Sequence, residues 1–377
     1  MRIGTITFHR AANYGAVLQA FALIYTLRKI GVDAEIIDYR CPFIEDYYDT
    51  RKILTLRNWK RIASYILFNG TFFPKREELY FDFLMRKKVL SKEIYYKSCD
   101  LNRTNLLYDC YFTGSDQIWN YKTAGFDKSY FLDFVNENNK KNSYAASFGV
   151  SSIPSSKKLE YSNLLNSFNT ISVRENIGIE LIHDLLGIDA RVDLDPTLLI
   201  DKDEWASLID YIKIRKLVRG NSQGYILIYL ISEDQHVFDT ARAFAKKSNL
   251  PIIYINNKWR KHRDIINLSN INIDEWLFLF LNATYVLTDS FHGTAFACNF
   301  NKKFLTFQLP NSHFSSRINS LLDNLGIEHR LFQKEVLDFN VISNQESKEY
   351  IVKLINLRTN SLEHIKGVVQ RYEIQNK

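Results

Sequence analysis

Residues 3–39 read IGTITFHRAANYGAVLQAFALIYTLRKIGVDAEIIDY, and the spacing of their apolar residues decides the fold class. Ile3–Phe8 is a short apolar run bounded by polar residues, which predicts a buried strand. His9–Gly15 is a loop. Ala16–Ile30 carries Val17, Ala20, Phe21, Ile24 and Leu27 on one helical stripe that stops at Gly31. Ala34–Tyr39 is strand-like again. Strand, helix, strand in so few residues is a βαβ unit, which requires a parallel sheet with helices on its faces.

Outward from this unit, residues 41–105 are rich in Lys, Arg, Tyr and Leu and predict a helical insertion, broken at Asn69–Gly70. Strands are predicted at Cys110–Thr113, Ser143–Phe148 and Thr170–Val173, the last followed by a helix. Arg191–Asp195 is extended and ends at Asp195–Pro196, a natural boundary because a residue before proline is pushed out of helix. Beyond it, strands at Tyr225–Ile231, Ile252–Ile255, Tyr285–Thr288 and Phe304–Phe307 alternate with helices at Gln235–Lys247, Ile273–Leu281, Phe291–Phe300 and Arg317–Leu325. The expectation is α/β: two lobes, 1–195 and 196–377, each with a mostly parallel sheet, the first carrying the insertion and the second a helical tail. In such sheets ligands sit outside the carboxyl ends of the strands.

Composition narrows the partners. The chain has 377 residues, 46% hydrophobic and 14% aromatic, ample for large cores and incompatible with a disordered or fibrous protein. Lysine plus arginine number 49 against 42 acidic residues, a net charge of +7. That excess suits an anionic partner: nucleic acid, an acidic membrane surface, or a phosphorylated or carboxylated small molecule. Cys41, Cys99, Cys110 and Cys298 form no CxxC or Cys/His cluster, so neither a metal site nor a disulfide framework is expected. The opening MRIGTITFHR has no signal-peptide core. The longest apolar runs, such as Tyr225–Ile231 and Trp276–Leu281, fall short of the ~20 residues of a membrane span. A cytoplasmic location is expected, with peripheral attachment at the inner face of the membrane as an option.

Four segments could carry chemistry. Leu287–Ala295 reads LTDSFHGTA: a strand runs into Asp289, Ser290 is a natural N-cap, and a helix follows. The backbone N–H groups of His292, Gly293 and Thr294 would point out of the helix end, a ready anion site that Gly293 opens to close approach. His292 could donate a hydrogen bond or move a proton near neutral pH. Spacing alone fits a plain capped helix with a surface histidine equally well. Arg174 ends the strand in ISVRE, where its planar fork suits a carboxylate or phosphate; a surface ion pair with Glu175 is the simpler alternative. TGSDQIWN, residues 113–120, gathers Asp116, Gln117, Trp119 and Asn120. Polar groups beside an indole face suit sugar recognition, although a turn with a half-buried tryptophan has the same sequence. Asn13 and Tyr14, before Gly15, could cap the first helix and line a ligand site; the glycine alone is no dinucleotide fingerprint. Of the basic stretches, Arg51–Phe68 could rest on an anionic membrane or be a helix with a solvated face. Lys258–Arg263 reads KWRKHR. Neither belongs to a nucleic-acid module, so nucleic acid is not an expected partner.

Taken in order, ITFHRAANYGAVLQAFAL, TGSDQIWN, NSYAASFG, ISVRE, DPTLLI, TDSFHGTAFACNFNKKF and SSRINSLLDNLGIEHR resemble the polysaccharide pyruvyl transferase family over roughly residues 1–330. The resemblance implies two Rossmann-like lobes in a GT-B-like bilobed architecture. It implies transfer of pyruvate from phosphoenolpyruvate to a sugar, usually as a cyclic ketal across two hydroxyls, with no cofactor beyond that donor. By it, His292 is the catalytic or donor-contacting histidine and Arg174 a catalytic, donor-binding arginine, with Ser290, Gly293, Thr294 and Arg317 on the donor side. Some members place an arginine two residues before the histidine, where this chain has Ser290. Asn13, Tyr14, Asp116, Gln117 and Trp119, in the first lobe, are assigned to the acceptor, which in this family can be a lipid-linked oligosaccharide. A GT-B glycosyltransferase using a nucleotide sugar and a non-catalytic scaffold of a glycan assembly complex are the alternatives.

Overall fold

Strand β1 (Arg2–Ile6) is the middle strand of a five-stranded sheet with β2 (Asp33–Tyr39), β3 (Leu90–Tyr95), β4 (Cys110–Thr113) and β5 (Lys141–Ser143). The order is β3-β2-β1-β4-β5, with every pair parallel. The computed structural model describes residues 1–48, 77–220, 224–256, 261–308, 315–332 and 348–375. Short strands β6 (Ser172–Val173) and β7 (Arg191–Val192) pair in parallel and extend this layer through bridges from Asn142 to Thr170 and from Ala146 to Val173.

The second sheet repeats the scheme. Strands β8 (Ile226–Tyr229), β9 (Ile252–Ile255), β10 (Ile266–Leu268), β11 (Tyr285–Thr288), β12 (Lys303–Phe307) and β13 (Leu331–Phe332) run β10-β9-β8-β11-β12-β13, again all parallel. Counted within its own half, each sheet follows the doubly wound order in which strand succession reverses beside the first strand. The reversal lies between β1 and β4 in one sheet and between β8 and β11 in the other. Crevices outside the carboxyl ends of these strand pairs are where such folds take ligands. The central strands are buried on both faces, as crossover helices require, so they read as continuous apolar runs.

The chain divides into two compact units: residues 1–48, 84–200 and 354–377 form one, and 49–83 with 201–353 the other. The expected boundary near Asp195–Pro196 lies five residues before this division. Two expectations are corrected. The stretch 41–105 is not wholly helical: Leu90–Tyr95 is the edge strand β3, hidden from periodicity because Lys92 and Glu93 are exposed and polar and Ile94 is exposed beside them. The end of the tail belongs to the first unit, not the second. In the helix Lys348–Gln375, Ile365, Val368, Val369 and Tyr372 are buried, the Tyr372 hydroxyl accepts from Asn142 Nδ2 at 3.0 Å, and Ser361 Oγ accepts from the Leu194 N–H at 3.0 Å. Periodicity announces such a helix but not the surface that receives it. No described helix is long and apolar enough to cross a membrane. Arg51–Phe68 and Lys258–Arg260 lie outside the described residues.

Candidate functional site

Asn13, Tyr14 and Asp116–Trp119 follow β1 and β4, and Ser290–Thr294 follow β11, beside the two strand reversals, whereas Arg174 follows β6 and Arg317 lies in the helix Ser315–Leu325 after β12. In the first unit, Asn13 caps the helix Tyr14–Lys29, its Oδ1 accepting from Gly15 N at 2.8 Å and Ala16 N at 3.3 Å. Tyr14 is buried. After β4 the chain turns through Gly114, at φ +119°, where a Cβ would fall 2.2 Å from the Tyr144 carbonyl oxygen; only glycine fits.

Ser115 is wholly buried and tied on all sides. Its N–H donates to Gln19 Oε1 at 3.0 Å, and its carbonyl accepts from Thr7 Oγ1 at 3.1 Å. Gln19 Nε2 in turn donates to Thr7 Oγ1 at 2.9 Å. Ser115 Oγ lies 2.9 Å from the Ala145 carbonyl and 3.0 Å from Asp195 Oδ2, its single proton serving one of them. Asp195 Oδ1 accepts from Thr197 N at 3.0 Å and Thr197 Oγ1 at 2.7 Å.

Arg174, at the end of β6, closes this network. Its Nη1 donates to Asp195 Oδ2 at 2.7 Å and to Ser115 Oγ at 3.3 Å. Asp116 Oδ1 is 3.7 Å from Nη2, and Glu175 Oε2 3.9 Å from Nε. Burial alone would lower the arginine's proton affinity, but the Asp195, Asp116 and Glu175 carboxylates raise it above the usual value. Glu175 is itself held by Ser147 Oγ and the Phe148 and Gly149 N–H groups. The sequence reading gave Arg174 to the donor's anions. In the structure this guanidinium stands among three carboxylates, hydrogen-bonded to Asp195 and 3.7–3.9 Å from Asp116 and Glu175.

Trp119 is a correction. Its side chain is 0% exposed and packs against Phe131, Phe148 and Phe168 with centroids 5.2–5.8 Å apart. Its ring is part of the core and cannot stack on a sugar in this structure. Gln117 is partly buried, with its Oε1 accepting from Asn120 Nδ2 at 2.9 Å. Asp116 retains a 15% exposed side chain and stands at φ +66°, a left-handed conformation uncommon outside glycine.

In the second unit, β11 ends at Thr288, whose Oγ1 donates to the Tyr229 carbonyl at 2.7 Å and accepts from Ser290 N at 3.1 Å. Asp289 accepts from Ile231 N at 2.6 Å and Ser232 N at 2.9 Å, which locks the loop after β8 beside the helix Phe291–Asn299. Ser290 is the N-cap, its Oγ accepting from Gly293 N at 3.3 Å. The Thr294 N–H donates to the Ser290 carbonyl at 2.9 Å, so neither it nor the Gly293 N–H is the outward anion donor the sequence predicts, although the positive end of the helix dipole lies at this turn.

Two residues in this turn act differently from expectation. A Cβ at Gly293 would lie 2.3 Å from Thr288 Oγ1 and 3.1 Å from Tyr229 Cδ1. The glycine therefore lets the helix approach the sheet. The Thr294 hydroxyl is fully buried, donating to the Ser290 carbonyl at 2.9 Å and lying 2.8 Å from Thr306 Oγ1, so it faces the sheet. His292 is largely buried, its ring edge-on to Phe291 at 5.2 Å. The Arg317 guanidinium lies over the Phe291 ring itself, 5.8 Å from its centroid. Phe291 thus links the histidine to an arginine 25 residues further along the chain.

Several contributors escaped the sequence reading. Thr7, Gln19 and Ser115 carry no motif signal of their own. Asp195 was visible as a boundary residue in DPTLLI, but its pairing with Arg174 is a long-range contact. His9, with Nε2 3.1 Å from Asp38 Oδ1 and Nδ1 3.1 Å from the Thr7 carbonyl, lies in the same β1 loop. No group of His, Cys, Asp and Glu among the described residues could hold a metal ion.

A family model for polysaccharide pyruvyl transferase matches residues 13–309. No curated protein matches the chain. Among solved structures, a Listeria monocytogenes protein assigned as a UDP-N-acetylglucosamine 2-epimerase is 11% identical, with a TM-score of 0.58, covering 99% of this chain and 97% of that one. UDP-GlcNAc 2-epimerase from Neisseria meningitidis, bound to UDP-GlcNAc, is 10% identical at a TM-score of 0.52, with 98% and 100% covered. MnaA from S. aureus, solved with UDP, is 13% identical at 0.53, with 99% and 96% covered. At these identities the likeness concerns the fold alone, which is α/β with mostly parallel sheets in the GT-B class.

Proposed function

Because the chain belongs to the polysaccharide pyruvyl transferase family, we propose that it moves pyruvate from phosphoenolpyruvate to two hydroxyls of a sugar in a polysaccharide precursor. The product is a cyclic ketal, with inorganic phosphate released. The observation that carries this reading is His292 in the first turn of a capped helix, with Arg317 reached through Phe291.

The donor chemistry sets the requirements. Phosphoenolpyruvate is an enol phosphate carrying two anionic groups. Protonation of its methylene carbon leaves an oxocarbenium-like centre at C2. One sugar hydroxyl attacks there and loses its proton, phosphate departs with the C2–O bond electrons, and the second hydroxyl adds to C2 and loses its own proton as the ring closes. The protein must hold the anions, move protons and align a diol. We assign the anions to the helix end at Ser290–Gly293 and to Arg317, which supplies the charge that some members carry at the position of Ser290. His292 is assigned the proton transfer. The acceptor is assigned to the loop around Asp116, with a lipid-linked oligosaccharide as one form of it.

Thermal-shift titration of the full chain with phosphoenolpyruvate against UDP-sugars tests the donor. Stabilisation by phosphoenolpyruvate, followed by phosphate release with methyl galactosides or mannosides, is the expected result. Stabilisation by a UDP-sugar alone would replace this reading with a glycosyltransferase.

A further inference from the structure

We propose that the C-terminal helix is a clamp that sets the direction of Arg174, with His364 as a positioning residue acting through Asp193. This rests on the pyruvyl-transfer reading, which gives Arg174 to the anionic donor.

The segment behind Arg174 has little sheet to hold it. Strands β6 and β7 pair only through Ser172 with Arg191 and Val173 with Val192. The Asp193 N–H then donates to the Val173 carbonyl at 2.9 Å, one residue before Arg174. Beyond Asp193 the chain leaves the ladder and carries Asp195, whose Oδ2 accepts from Arg174 Nη1 at 2.7 Å. A short, charge-assisted bond to a planar fork transmits position, so where Asp195 stands sets where the guanidinium points.

Three side chains of the helix Lys348–Gln375, spaced three residues apart and so neighbours on its surface, grip this segment. Arg358 Nε donates to the Leu198 carbonyl at 2.6 Å, Ser361 Oγ accepts from Leu194 N at 3.0 Å, and His364 Nδ1 donates to Asp193 Oδ2 at 2.6 Å. These contacts bracket Asp195 on both sides along the chain. The Leu194 carbonyl is held as well, accepting from Tyr144 Oη at 3.0 Å.

His364 carries the electrostatic part of the clamp. The Asp193 side chain is 0% exposed, and a buried carboxylate needs its partners. It has His364, 12% exposed, on Oδ2, and Arg191, 44% exposed, whose Nε donates to Oδ1 at 3.0 Å. Without the imidazole, the carboxylate keeps only the partner nearer to solvent and is drawn toward it. Leu194 and Asp195, the next two residues, move with it. The coupling is reciprocal: a donor that fixes Arg174 must also tighten the helix.

The experiment compares the full chain with H364A and H364N. Phosphoenolpyruvate Kd is measured by calorimetry, and folding by circular dichroism. Backbone hydrogen exchange of residues 358–369 is followed with and without phosphoenolpyruvate. H364A is expected to raise the Kd at least about fivefold, and H364N, whose Nδ2 can donate where Nδ1 did, to recover part of the loss. In the wild-type chain phosphoenolpyruvate is expected to slow exchange across 358–369. A folded H364A with a smaller loss, or an H364N no better than H364A, would make the contact a structural brace and overturn the proposal. So would wild-type exchange that saturating phosphoenolpyruvate leaves unchanged, a measurement that stands in if H364A does not fold. A wild-type chain that binds no phosphoenolpyruvate would instead remove the pyruvyl-transfer reading itself, a different result from these.

Discussion

Arg174 Nη1 donates to Asp195 Oδ2 at 2.7 Å, and both side chains are sealed from solvent. This pair joins the loop after β6 to the turn after β7, and through Ser115 to the loop after β4. Removing one member of a buried ion pair leaves the other charge without compensation and costs about 3–5 kcal/mol. D195N is therefore expected to lower the first unit's stability by an amount in that range, read by chemical denaturation of the full chain. A loss below ~1 kcal/mol would mean that the network relaxes around the change.

For His292, the H292A protein is expected to fold normally and to release phosphate from phosphoenolpyruvate at least ~100-fold more slowly, the usual effect of losing a general acid or base. Near-wild-type turnover would remove His292 from the chemistry.

Trp119 gives a contrast. W119A is expected to destabilise the protein by about 3–5 kcal/mol, because a large aromatic is deleted from a packed core. Any protein that remains folded should keep its acceptor KM within a few-fold, which steady-state kinetics would check.

Gly293 tests how tightly the helix sits on β11. A methyl group there meets Thr288 Oγ1 and Tyr229, so G293A is expected to cost about 1–3 kcal/mol and to weaken phosphoenolpyruvate binding by shifting His292. Unchanged stability and affinity would show that Thr288 yields without cost.

Lys302 supplies a pH signature. Burial, aided by the like charge of Lys202, brings its pKa down from 10.5 to about 8. The folded state thus disfavours the charged amine. That cost is complete below about pH 8, fades as pH rises toward 10.5, and is gone where both states are neutral. K302M is expected to stabilise the protein at pH 7, with the gain shrinking between pH 8 and 10.5 in denaturation midpoints.

Most of the strand-and-helix alternation was legible because parallel strands buried on both faces leave apolar runs, and their crossover helices leave a 3.6-residue stripe. Strand β3 was not, because an edge strand with exposed lysine and glutamate lacks that signature. The docking of Ser361 and Tyr372 on the first unit was not, since both partners lie more than 160 residues away. Among the site residues, Ser290 as N-cap and Asn13 as cap were readable from local chemistry. The roles of Gly293, Thr294 and Trp119 were not: the same residue types at the same spacing serve a ligand or a core, and only their neighbours distinguish the two.

The sequence by itself determined two parallel α/β sheets, the helix that starts at Ser290, and which polar residues follow strand ends. Those are consequences of local periodicity and of which residues can cap a helix. Tertiary structure alone decided that Arg174 faces Asp195, Asp116 and Glu175, and that Arg317 reaches Phe291 beside His292. The reason is electrostatic and steric. A buried charge takes its character from whatever opposes it in space, and those partners are brought together by strand order, not by distance along the chain.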